Sequence, residues 1–581
     1  MVVAVVVVCL ILTVLSRAND NQMSESYDSS NEYNINVFED VGNSGRQNNT
    51  IQRPHIVFVL ADDLGYNDIG YHAVHGMSAV KTPHLDTLAS EGVKLENYYV
   101  QPICSPSRSV LMTGRYLIRY GLQHDVFRAA QPTCLPLNET ILPEKLRELG
   151  YATHAIGKWH LGMCRTECLP TRRGFDSFFG YLLGGSNYFS GNKTISFPYF
   201  NDKWTGNDLW EDETPVSKYG RKHSTKVFTR KARDIIRHHN KDRPLFLYLA
   251  YKNVHRPLQA PLNYIKKFQH ITNTKRRTLA AMVACLDDQI KSITDALRQE
   301  GLWENTVFVF SSDNGGHVDY LGGGNNWPLR GGKWTLYEGG VRAVAFVNSP
   351  LLSSDVRGTV NKELMHISDW FPTFVDGLGG GNTSLLSKPL DGVNMWQTIS
   401  KGVPSPREEL LLNVDNMWRS SQMHYLEIQY WRKHLGGRSD TLWPLIRAGI
   451  RRGDWKLLTG PSHAIHWGYS KWLPPQESGQ REQDLLNISS KCGRPITNQV
   501  IKLYNITADR KETCNVAQRP ENLHIVIDLL QRLERYFLEA KPAYSPRYPD
   551  LNAHPALHGG VWRPWLDDDE NTYRRLMRID E

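Results

Sequence analysis

Two pairs of oxygen-bearing side chains stand directly after apolar runs that predict buried strands. Asp62 and Asp63 follow the run HIVFVLA, and Asp313 and Asn314 follow NTVFVFSS. Carboxylate and amide oxygens are the ligands that Ca²⁺ and Mg²⁺ prefer, whereas zinc sites use clusters of His and Cys. One Asp-Asp pair after a strand is commonly a helix cap or a solvated turn, but two pairs on separate strands favour a metal site.

Cationic and imidazole side chains stand at further predicted strand ends. Lys158 and His160 are two residues apart in GKWH, so an extended segment would place both side chains on one face. His255 in KNVHRP and Lys333 in RGGKWTLYEGG lie in loops beyond predicted strands. Each residue taken alone is commonly a surface lysine or a hydrogen-bonded histidine. Their significance depends on whether the fold brings them together.

A cysteine precedes a predicted helix start in QPICSPSRSVLMTGR. Ser105 suits an N-cap and Pro106 suits the first helical position, so we expect a helix to begin there. The free amide groups and the positive end of the helix dipole favour an anion, and Arg108 adds a fixed charge. From these residues alone, Cys104 is equally well explained as a structural or disulfide cysteine beside a capped helix.

The elements that must position these residues alternate between strand and helix patterns. PEKLRELG predicts a short helix, YATHAIGKWH and RPLFLYLAY predict strands, and residues 275–300 have helical apolar spacing. This alternation predicts an α/β fold with a large, mostly parallel sheet flanked by helices on both faces. Ligands of such sheets bind beyond the carboxyl ends of the strands. The two acidic pairs, His160 and His255 fall at those ends.

The pattern becomes irregular after about Leu412. AGIRRGDWKLL predicts a pair of hairpin strands, and ENLHIVIDLLQRLERYFLEA predicts an amphipathic helix. A chain of 581 residues also exceeds what one compact core usually holds. We therefore expect a main α/β domain over 53–412 and a smaller C-terminal α+β subdomain over 413–581.

The N-terminus predicts export. Residues 2–15 are almost wholly apolar and are followed by small residues, a pattern typical of a secretory signal and shorter than the ~20 residues of a membrane span. We expect a signal peptide over 1–18, a polar flexible lead-in over 19–52, and no membrane span after signal cleavage. The formal net charge of +8 suits an anionic ligand, but no Lys/Arg block resembles a nucleic-acid-binding arm.

Glycosylation sequons and cysteines agree with an exported protein. The chain contains six N-x-S/T sequons, at Asn48, Asn138, Asn192, Asn382, Asn487 and Asn505. It contains eight cysteines, of which Cys9 would leave with the signal peptide. The remaining number is odd, so at least one thiol has no partner within the mature chain.

Two long signatures, in this order, make the chain resemble the type I sulfatases of the alkaline phosphatase superfamily. The C-x-P-x-R core stands at Cys104–Arg108 and continues into SVLMTGR, and the second signature is GYATHAIGKWH. The resemblance covers about 55–460 and is strongest to arylsulfatase B-like (N-acetylgalactosamine-4-sulfatase-like) members. Segments such as ADDLGYNDIGYH, CLPTRRGFDSFFGYLLG and YKNVHRPLQAP carry it.

The resemblance implies that the cysteine is a nucleophile precursor. In the family it is oxidised to Cα-formylglycine in the endoplasmic reticulum by the formylglycine-generating enzyme, and an oxygen of the aldehyde hydrate attacks the sulfate sulfur. Carried over to this chain, the implied Ca²⁺ ligands are Asp62, Asp63, Asp313, Asn314 and the formylglycine made from Cys104. The implied substrates are aryl sulfates and sulfated sugars, such as N-acetylgalactosamine 4-sulfate units of glycosaminoglycans.

The resemblance also assigns a role to each remaining site residue. Arg108 and His160 would orient and polarise the hydrate, and Lys158 and Lys333 would bind the sulfate oxygens. His255 would contact the substrate and protonate the leaving oxygen. Each of these positions carries the residue type that the family expects.

For the other cysteines, the resemblance implies the disulfides Cys134–Cys168 and Cys492–Cys514. The partner of a further family disulfide is missing from FRAAQPTC, so the state of Cys164 is left open. Cys285 lies three residues from Met282 on an apolar helix face, and we expect a buried free thiol. The expected location is the secretory pathway, ending in the lysosome or outside the cell.

Two other functions remain as alternatives. A phosphatase or phosphodiesterase of the same superfamily would use Ser or Thr as its nucleophile and a second metal with additional His and Asp ligands, a set that we do not recognise here. A non-catalytic glycan-binding relative would lack a site residue, and none is missing. The sequence therefore predicts a sulfatase and leaves the identity of the sulfated substrate open.

Overall fold

The computed structural model describes residues 53–73, 80–197, 202–216, 222–318, 322–419, 446–460, 471–475, 500–546 and 548–567, and the single residues Trp431, Lys433, Gln483, Asn487 and Cys492. The signal peptide expected over 1–18, the lead-in over 19–52 and the sequon at Asn48 lie outside the described residues. All described residues belong to one unit, Gln52–Glu581.

Strands and helices alternate along the described chain, as the apolar pattern predicts. The strands are β1 (His55–Ala61), β2 (Val93–Leu95), β3 (Tyr98–Tyr99), β4 (Ala152–Lys158), β5 (Ser177–Tyr181), β6 (Asn192–Phe197), β7 (Asp202–Asn207), β8 (Leu209–Glu211), β9 (Thr214–Pro215), β10 (Leu245–Ala250), β11 (Thr306–Ser312), β12 (Ala345–Asn348), β13 (Val360–Asn361), β14 (Met365–His366), β15 (Glu409–Arg419), β16 (Ile446–Arg452), β17 (Trp455–Thr459) and β18 (Ile501–Asn505). The longer α-helices are α1 (Pro83–Glu91), α2 (Cys104–Thr113), α3 (Leu142–Glu148), α4 (Ser224–His238), α5 (Thr274–Gln299), α6 (Trp396–Lys401) and α7 (Leu523–Leu538). Within the described part of the chain, no helix combines the length and apolar content needed to cross a bilayer.

A ten-stranded mixed sheet organises the main part of the protein. Its strand order is β13-β2-β12-β11-β1-β10-β4-β5-β8-β9. The central strands, from β11 to β5 in that order, are parallel to one another. Towards the edges, β12, β8 and β9 run antiparallel to their inner neighbours. The predicted mostly parallel sheet is thus confirmed at its centre, and short antiparallel strands extend it on both sides.

The side chains of β1 alternate between two apolar cores, one on each face of the sheet. Ile56 and Phe58 pack in the core that contains Leu111 of α2. Val57 and Val59 pack in the other core, which contains the buried sides of α4 and α5. Because successive strand residues point to opposite faces, a continuous apolar strand needs cover on both sides. The predicted helical layers on both faces are therefore confirmed.

The carboxyl ends of β11, β1, β10 and β4 lie side by side, because these strands are parallel neighbours in the sheet. Asp62 follows β1, Asp313 follows β11, and Lys158 is the last residue of β4. His255 lies in the loop that follows β10. Four segments that are distant in sequence therefore deliver polar side chains to one edge of the sheet, where ligands of α/β proteins bind.

A separate four-stranded antiparallel sheet lies in the C-terminal region, in the order β15-β16-β17-β18. Strands β16 and β17 form the hairpin predicted from AGIRRGDWKLL, and α7 is the predicted amphipathic helix. Ile450 and Leu457 of this sheet pack with Leu529 and Leu533 of α7. The region is α+β in character, as expected. The boundary between 412 and 413 stays a prediction, and β15 runs across it.

Candidate active site

The helix that carries the cysteine motif begins two residues earlier than predicted. Helix α2 starts at Cys104 itself, and its N-cap residue is Ile103, which offers no capping side chain. Ser105 is therefore inside the helix, and its Oγ accepts a hydrogen bond of 3.2 Å from the Phe127 amide. Cys104 is buried in the first turn. The free amide groups of that turn are thus available to an anion beside the cysteine.

The two acidic pairs predicted from separate strand ends come together. The Asp63 amide lies 3.2 Å from Asp313 Oδ1, and Asn314 Nδ2 donates to Asp63 Oδ1 at 2.8 Å. Asp63 has a positive φ of 63°, which turns the chain sharply after β1. Asp62 and its three neighbours in the cluster are buried. Three carboxylates and one amide therefore share a single dry site.

Three cations neutralise this acid cluster. Lys158 Nζ donates to Asp62 Oδ2 at 2.7 Å, and Lys333 Nζ lies 2.7 Å from the Asp63 carboxylate. Arg108 donates to Asp313 Oδ2 through Nη2 at 2.8 Å and through Nε at 3.1 Å. Arg108 Nη1 also donates to the Lys158 carbonyl at 2.8 Å, which fixes the end of β4.

The ionisation of the acids reflects both burial and these partners. Burial raises the pKa of Asp63, but Lys333 and His255 outweigh it and the pKa falls to about 2. Burial raises the pKa of Asp313 to about 7, and the Asp62 charge adds to the shift despite Arg108. Three carboxylates in contact repel one another where water cannot screen them. A cation of higher charge would relieve this repulsion.

The donor set fits such a cation. Asp62 Oδ1 and Asn314 Oδ1 are buried and accept no hydrogen bond. Single ligand atoms of Asp62, Asp63, Cys104 and His255 all lie within 4.8 Å of one another. Unsatisfied oxygen atoms at a point shared by several carboxylates suit Ca²⁺ or Mg²⁺. His255 belongs to this group although the sequence did not place it near the metal.

The His255 ring is held at the open side of the cluster. Its Nδ1 lies 2.6 Å from the Arg256 carbonyl, so Nδ1 carries a proton and donates it. Its Nε2 lies 3.8 Å from Asp63 Oδ2 and faces the site. Burial, followed by Lys333, lowers the pKa of this histidine well below its ordinary value. The ring is thereby oriented with one nitrogen reserved for a ligand.

The second histidine lies beside the cluster, outside the group of closely spaced ligand atoms. His160 Nε2 lies 3.0 Å from the Phe127 carbonyl, and its Nδ1 is buried without a hydrogen-bond partner. The residue has a positive φ of 57°, so the segment is not extended as the spacing from Lys158 predicted. A methyl group added at Gly184 would lie 2.6 Å from His160 Cε1, so only glycine fits against the ring.

The cysteines and sequons can also be placed. Disulfides join Cys134 to Cys168 and Cys492 to Cys514. Cys164 and Cys285 are buried free thiols, as expected for Cys285. The sequon asparagines Asn138, Asn192, Asn382 and Asn487 are exposed, and Asn505 is half-buried.

Sequence reasoning missed two lysines near this site. Lys252 is buried after β10, with its Nζ 3.7 Å from the ring centroid of Tyr188. Lys193 is the second residue of β6 and extends towards His255. Lys252 stands within the quoted segment YKNVHRP and could have been noticed there, whereas Lys193 is the variable position of the Asn192 sequon and belongs to no catalytic motif.

Comparison with known proteins shows that the chain is similar to sulfatases. A family model described as Sulfatase matches residues 54–380. Arylsulfatase J of Mus musculus is 44% identical over 523 residues, which cover 89% of this chain and 81% of that protein. N-acetylgalactosamine-6-sulfatase of Homo sapiens is 32% identical over 362 residues, which cover 60% of this chain and 66% of that protein.

Solved structures show the same fold. The crystal structure of Ps i-CgsB aligns with a TM-score of 0.65 at 27% identity, covering 90% of this chain and 100% of that one. The sulfatase PsFucS1 from Pseudoalteromonas sp. aligns with a TM-score of 0.62 at 21% identity, covering 85% of this chain and 92% of that one.

Proposed function

The chain belongs to the sulfatase family and hydrolyses sulfate esters, and we propose that it does so with a formylglycine made from Cys104 and with one bound Ca²⁺. One observation carries this proposal. The buried oxygens Asp62 Oδ1 and Asn314 Oδ1 of the acid cluster accept no hydrogen bond. Cys104, at the start of α2, has its Sγ within 4.8 Å of ligand atoms of Asp62 and Asp63.

The hydrated aldehyde would supply the attacking oxygen, and Ca²⁺ would offset the negative charge of site and substrate when bound. Asp62, Asp63, Asp313 and Asn314 are the residues that would hold the ion. Their oxygens are kept in place by the strand ends and by Arg108. These groups are preorganised, so little reorganisation is needed when charge develops.

The cations then bind and orient the sulfate. Lys158 and Lys333 end in ammonium groups at the acid cluster, and both are buried where water does not weaken their attraction to an anion. His255 keeps Nδ1 on the Arg256 carbonyl and presents Nε2 towards the leaving oxygen. To act as the acid it must first take up a proton at Nε2, which the negative charge of a bound sulfate ester would favour, and that proton would then pass to the leaving oxygen. His160 would help to orient the hydrate from its buried place beside α2.

We propose that the physiological substrate is a sulfated glycan and that aryl sulfates are also accepted. N-acetylgalactosamine 4-sulfate units of glycosaminoglycans are the first choice, from the arylsulfatase B-like motifs. A relative named N-acetylgalactosamine-6-sulfatase makes the 6-sulfate the direct competitor. The proposed location is the lysosome or the extracellular space, reached with the formylglycine-generating enzyme as a transient partner.

The test is expression in a eukaryotic secretory host, followed by peptide mass spectrometry at position 104. We expect formylglycine there, hydrolysis of nitrocatechol sulfate, and faster hydrolysis of 4-sulfated than of 6-sulfated N-acetylgalactosamine. Cys104→Ala should lower sulfatase activity by at least roughly 10⁴-fold, as loss of a nucleophile does. Cys285→Ser, which changes another buried free cysteine, is the matched control.

Intact cysteine at position 104 in fully active protein would contradict the proposed nucleophile. Faster hydrolysis of p-nitrophenyl phosphate than of any sulfate ester would favour the phosphatase alternative instead.

A further inference from the structure

A β-hairpin formed by β6 and β7 brings a lysine to the leaving-group side of the site. Alternate residues of β6 are exposed and half-buried, and Lys193 lies on the half-buried side with Ile195 and Phe197. The Trp562 indole donates to the Lys193 carbonyl at 2.9 Å, which anchors this end of the strand. The hairpin therefore holds the lysine backbone in place.

The lysine ammonium lies close to the imidazole that faces the site. A methyl group added at Gly185 would lie 3.1 Å from Lys193 Nζ and 3.3 Å from His255 Cε1. The two side chains thus approach the same small glycine surface. Glycine at this position leaves open the space between the ammonium and the imidazole.

Among the residues that the structure describes, no side chain or carbonyl pairs with the Lys193 ammonium. The nearby acid Asp208 is already engaged, because its carboxylate accepts hydrogen bonds from the Leu182 and Leu183 amides and from the Ser186 hydroxyl. Burial lowers the pKa of Lys193 to about 8, with Asp208 opposing the shift and nearby cations adding to it. A half-buried ammonium of this kind is a costly feature without a ligand.

A second cation, on the loop that carries His255, is also incompletely paired. Arg256 follows His255, and its Nε is buried without a hydrogen-bond acceptor. By contrast, Lys158 and Lys333 are each paired with a carboxylate of the acid cluster. Positive charge near His255 therefore exceeds what the acids of the site neutralise. The excess lies on the side from which the leaving oxygen would be protonated.

We propose that Lys193, together with Arg256, forms a second anion-binding subsite that binds a carboxylate or a second sulfate on the leaving sugar. This inference rests on the proposed function, since it describes the leaving-group side of the same site. It makes the enzyme selective for sulfate esters whose leaving group carries an additional negative charge. Lysine and arginine both bind such groups through charge-assisted hydrogen bonds.

The test compares substrates with and without the second charge. The substrates with an uncharged leaving group are N-acetylgalactosamine 4-sulfate and nitrocatechol sulfate, the latter assayed at acidic pH, where its free phenol stays protonated. The charged ones are N-acetylgalactosamine 4,6-disulfate and a disaccharide in which a uronate adjoins the 4-sulfated sugar. Lys193→Met keeps the aliphatic stem and the Asn192 sequon, and Lys203→Met changes an exposed lysine on the paired strand β7.

We expect Lys193→Met to lower kcat/KM roughly tenfold to hundredfold for the charged substrates, mainly through KM, as the loss of a hydrogen bond to a charged group does. The two uncharged substrates and the Lys203→Met control should change less than twofold. Lys193→Arg should restore most of the loss. A loss confined to the uronate substrate would assign a carboxylate to the subsite, and a loss confined to the disulfate would assign a second sulfate.

An equal loss on all four substrates would overturn the proposal, because the lysine would then support the site rather than bind the leaving group. No loss on either charged substrate would overturn it as well. Failure of the proposed function is a different result, because the unaltered enzyme would then hydrolyse none of the sulfate esters.

Discussion

Two buried clusters of charge in this protein both pair their acids with cations, but they differ in what surrounds the acceptor atoms that receive no hydrogen bond. The first is the acid cluster at the strand ends, which consists of Asp62, Asp63, Asp313 and Asn314. The second, here called the junction cluster, consists of Glu338, Lys456 and Glu512. Lys456 Nζ lies 2.8 Å from a carboxylate oxygen of both Glu338 and Glu512. Glu338 also accepts a hydrogen bond of 2.7 Å from the Tyr99 hydroxyl. Each acid of the junction cluster therefore faces a cation.

The difference between the clusters lies in what they leave unmatched. The junction cluster joins β17 of the C-terminal sheet to the segment that follows Lys333, and its lysine bridges two acids. The acid cluster keeps Asp62 Oδ1 and Asn314 Oδ1 without donors, although both atoms are buried. Buried polar atoms are nearly always paired in folded proteins, so unpaired ones point to a ligand. Glu512 Oε1 of the junction cluster also accepts no hydrogen bond, but it lies 2.8 Å from the Lys456 ammonium, whereas Asp62 Oδ1 lies 3.9 Å from Arg108 Nη2. The clusters therefore differ in whether a cation is in contact with the acceptor that has no hydrogen bond.

After loss of the nucleophile, the largest expected effect is on proton transfer beside the acid cluster. His255→Ala should slow the hydrolysis of sulfated sugars roughly 10²- to 10⁴-fold, the usual contribution of a general acid. A sugar alcohol is a poor leaving group and needs the proton, while nitrocatechol departs without much help. Nitrocatechol sulfate should therefore slow far less. Equal slowing of both substrates would mean that His255 binds sulfate and donates no proton.

A second prediction concerns metal dependence. Asp313→Ala should lower sulfatase activity roughly 10²- to 10³-fold, because charge stabilisation of that size is lost when a preorganised site is broken. The unaltered enzyme should lose activity in a calcium chelator, regain it with Ca²⁺ and show a higher Tm with the ion present. The Asp313→Ala variant should show no Ca²⁺-dependent rise in Tm. Zinc in metal analysis of the active enzyme would contradict the calcium assignment.

The junction cluster should respond in the opposite way. Glu338→Gln breaks a buried ion pair and should lower the free energy of unfolding by about 3–5 kcal/mol. Activity per folded molecule and the Ca²⁺ response should stay as in the unaltered enzyme. Glu521→Gln removes an exposed carboxylate and is the matched control. The measurement is denaturant unfolding alongside nitrocatechol sulfate turnover. Loss of activity without loss of stability would erase the distinction between the clusters.

Much of the fold and part of the candidate site follow from the sequence. The strand ends could be predicted because each apolar run is short, continuous and closed by a polar residue, as at Asp62 and Asp313. A buried parallel strand needs this composition whatever its neighbours are. The antiparallel edge strands could not be predicted, because they are too short to show a period of their own.

Other features depend on tertiary contacts and were missed for that reason. Helix α2 starts at Cys104 after an apolar N-cap residue, so the sequence has no capping side chain from which this start could be predicted. His160 has a positive φ, and its ring packs so closely on Gly184 that a side chain there would clash with it. Lys193 reaches the site only because β6 pairs with β7. None of these three features can be predicted from the residues next to it in the sequence.

The smallest expected effect concerns Asp208, a buried acid that belongs to neither cluster. Asp208 is buried beside the site and is held by a hydroxyl and by amide groups, and it makes no ion pair with any residue that the structure describes. Burial raises its pKa to about 7, and the hydrogen bonds and Lys193 oppose the shift only in part. A carboxyl group whose pKa is raised on folding binds its proton more tightly in the folded state, so it stabilises the fold at low pH. This stability is lost as the pH rises towards and through 7.

The free energy of unfolding should therefore fall by about 3 kcal/mol between pH 5 and pH 8 on account of this group, at 1.36 kcal/mol per pH unit. Asp208→Asn should remove that part of the pH dependence, since an amide does not titrate. Asp242→Asn, which changes an exposed residue, should leave it intact. The measurement is denaturant unfolding at several pH values in the same salt. If the Asp208→Asn profile matches that of the unaltered protein, Asp208 is ionised throughout, and Lys193 is then the cation that keeps it so.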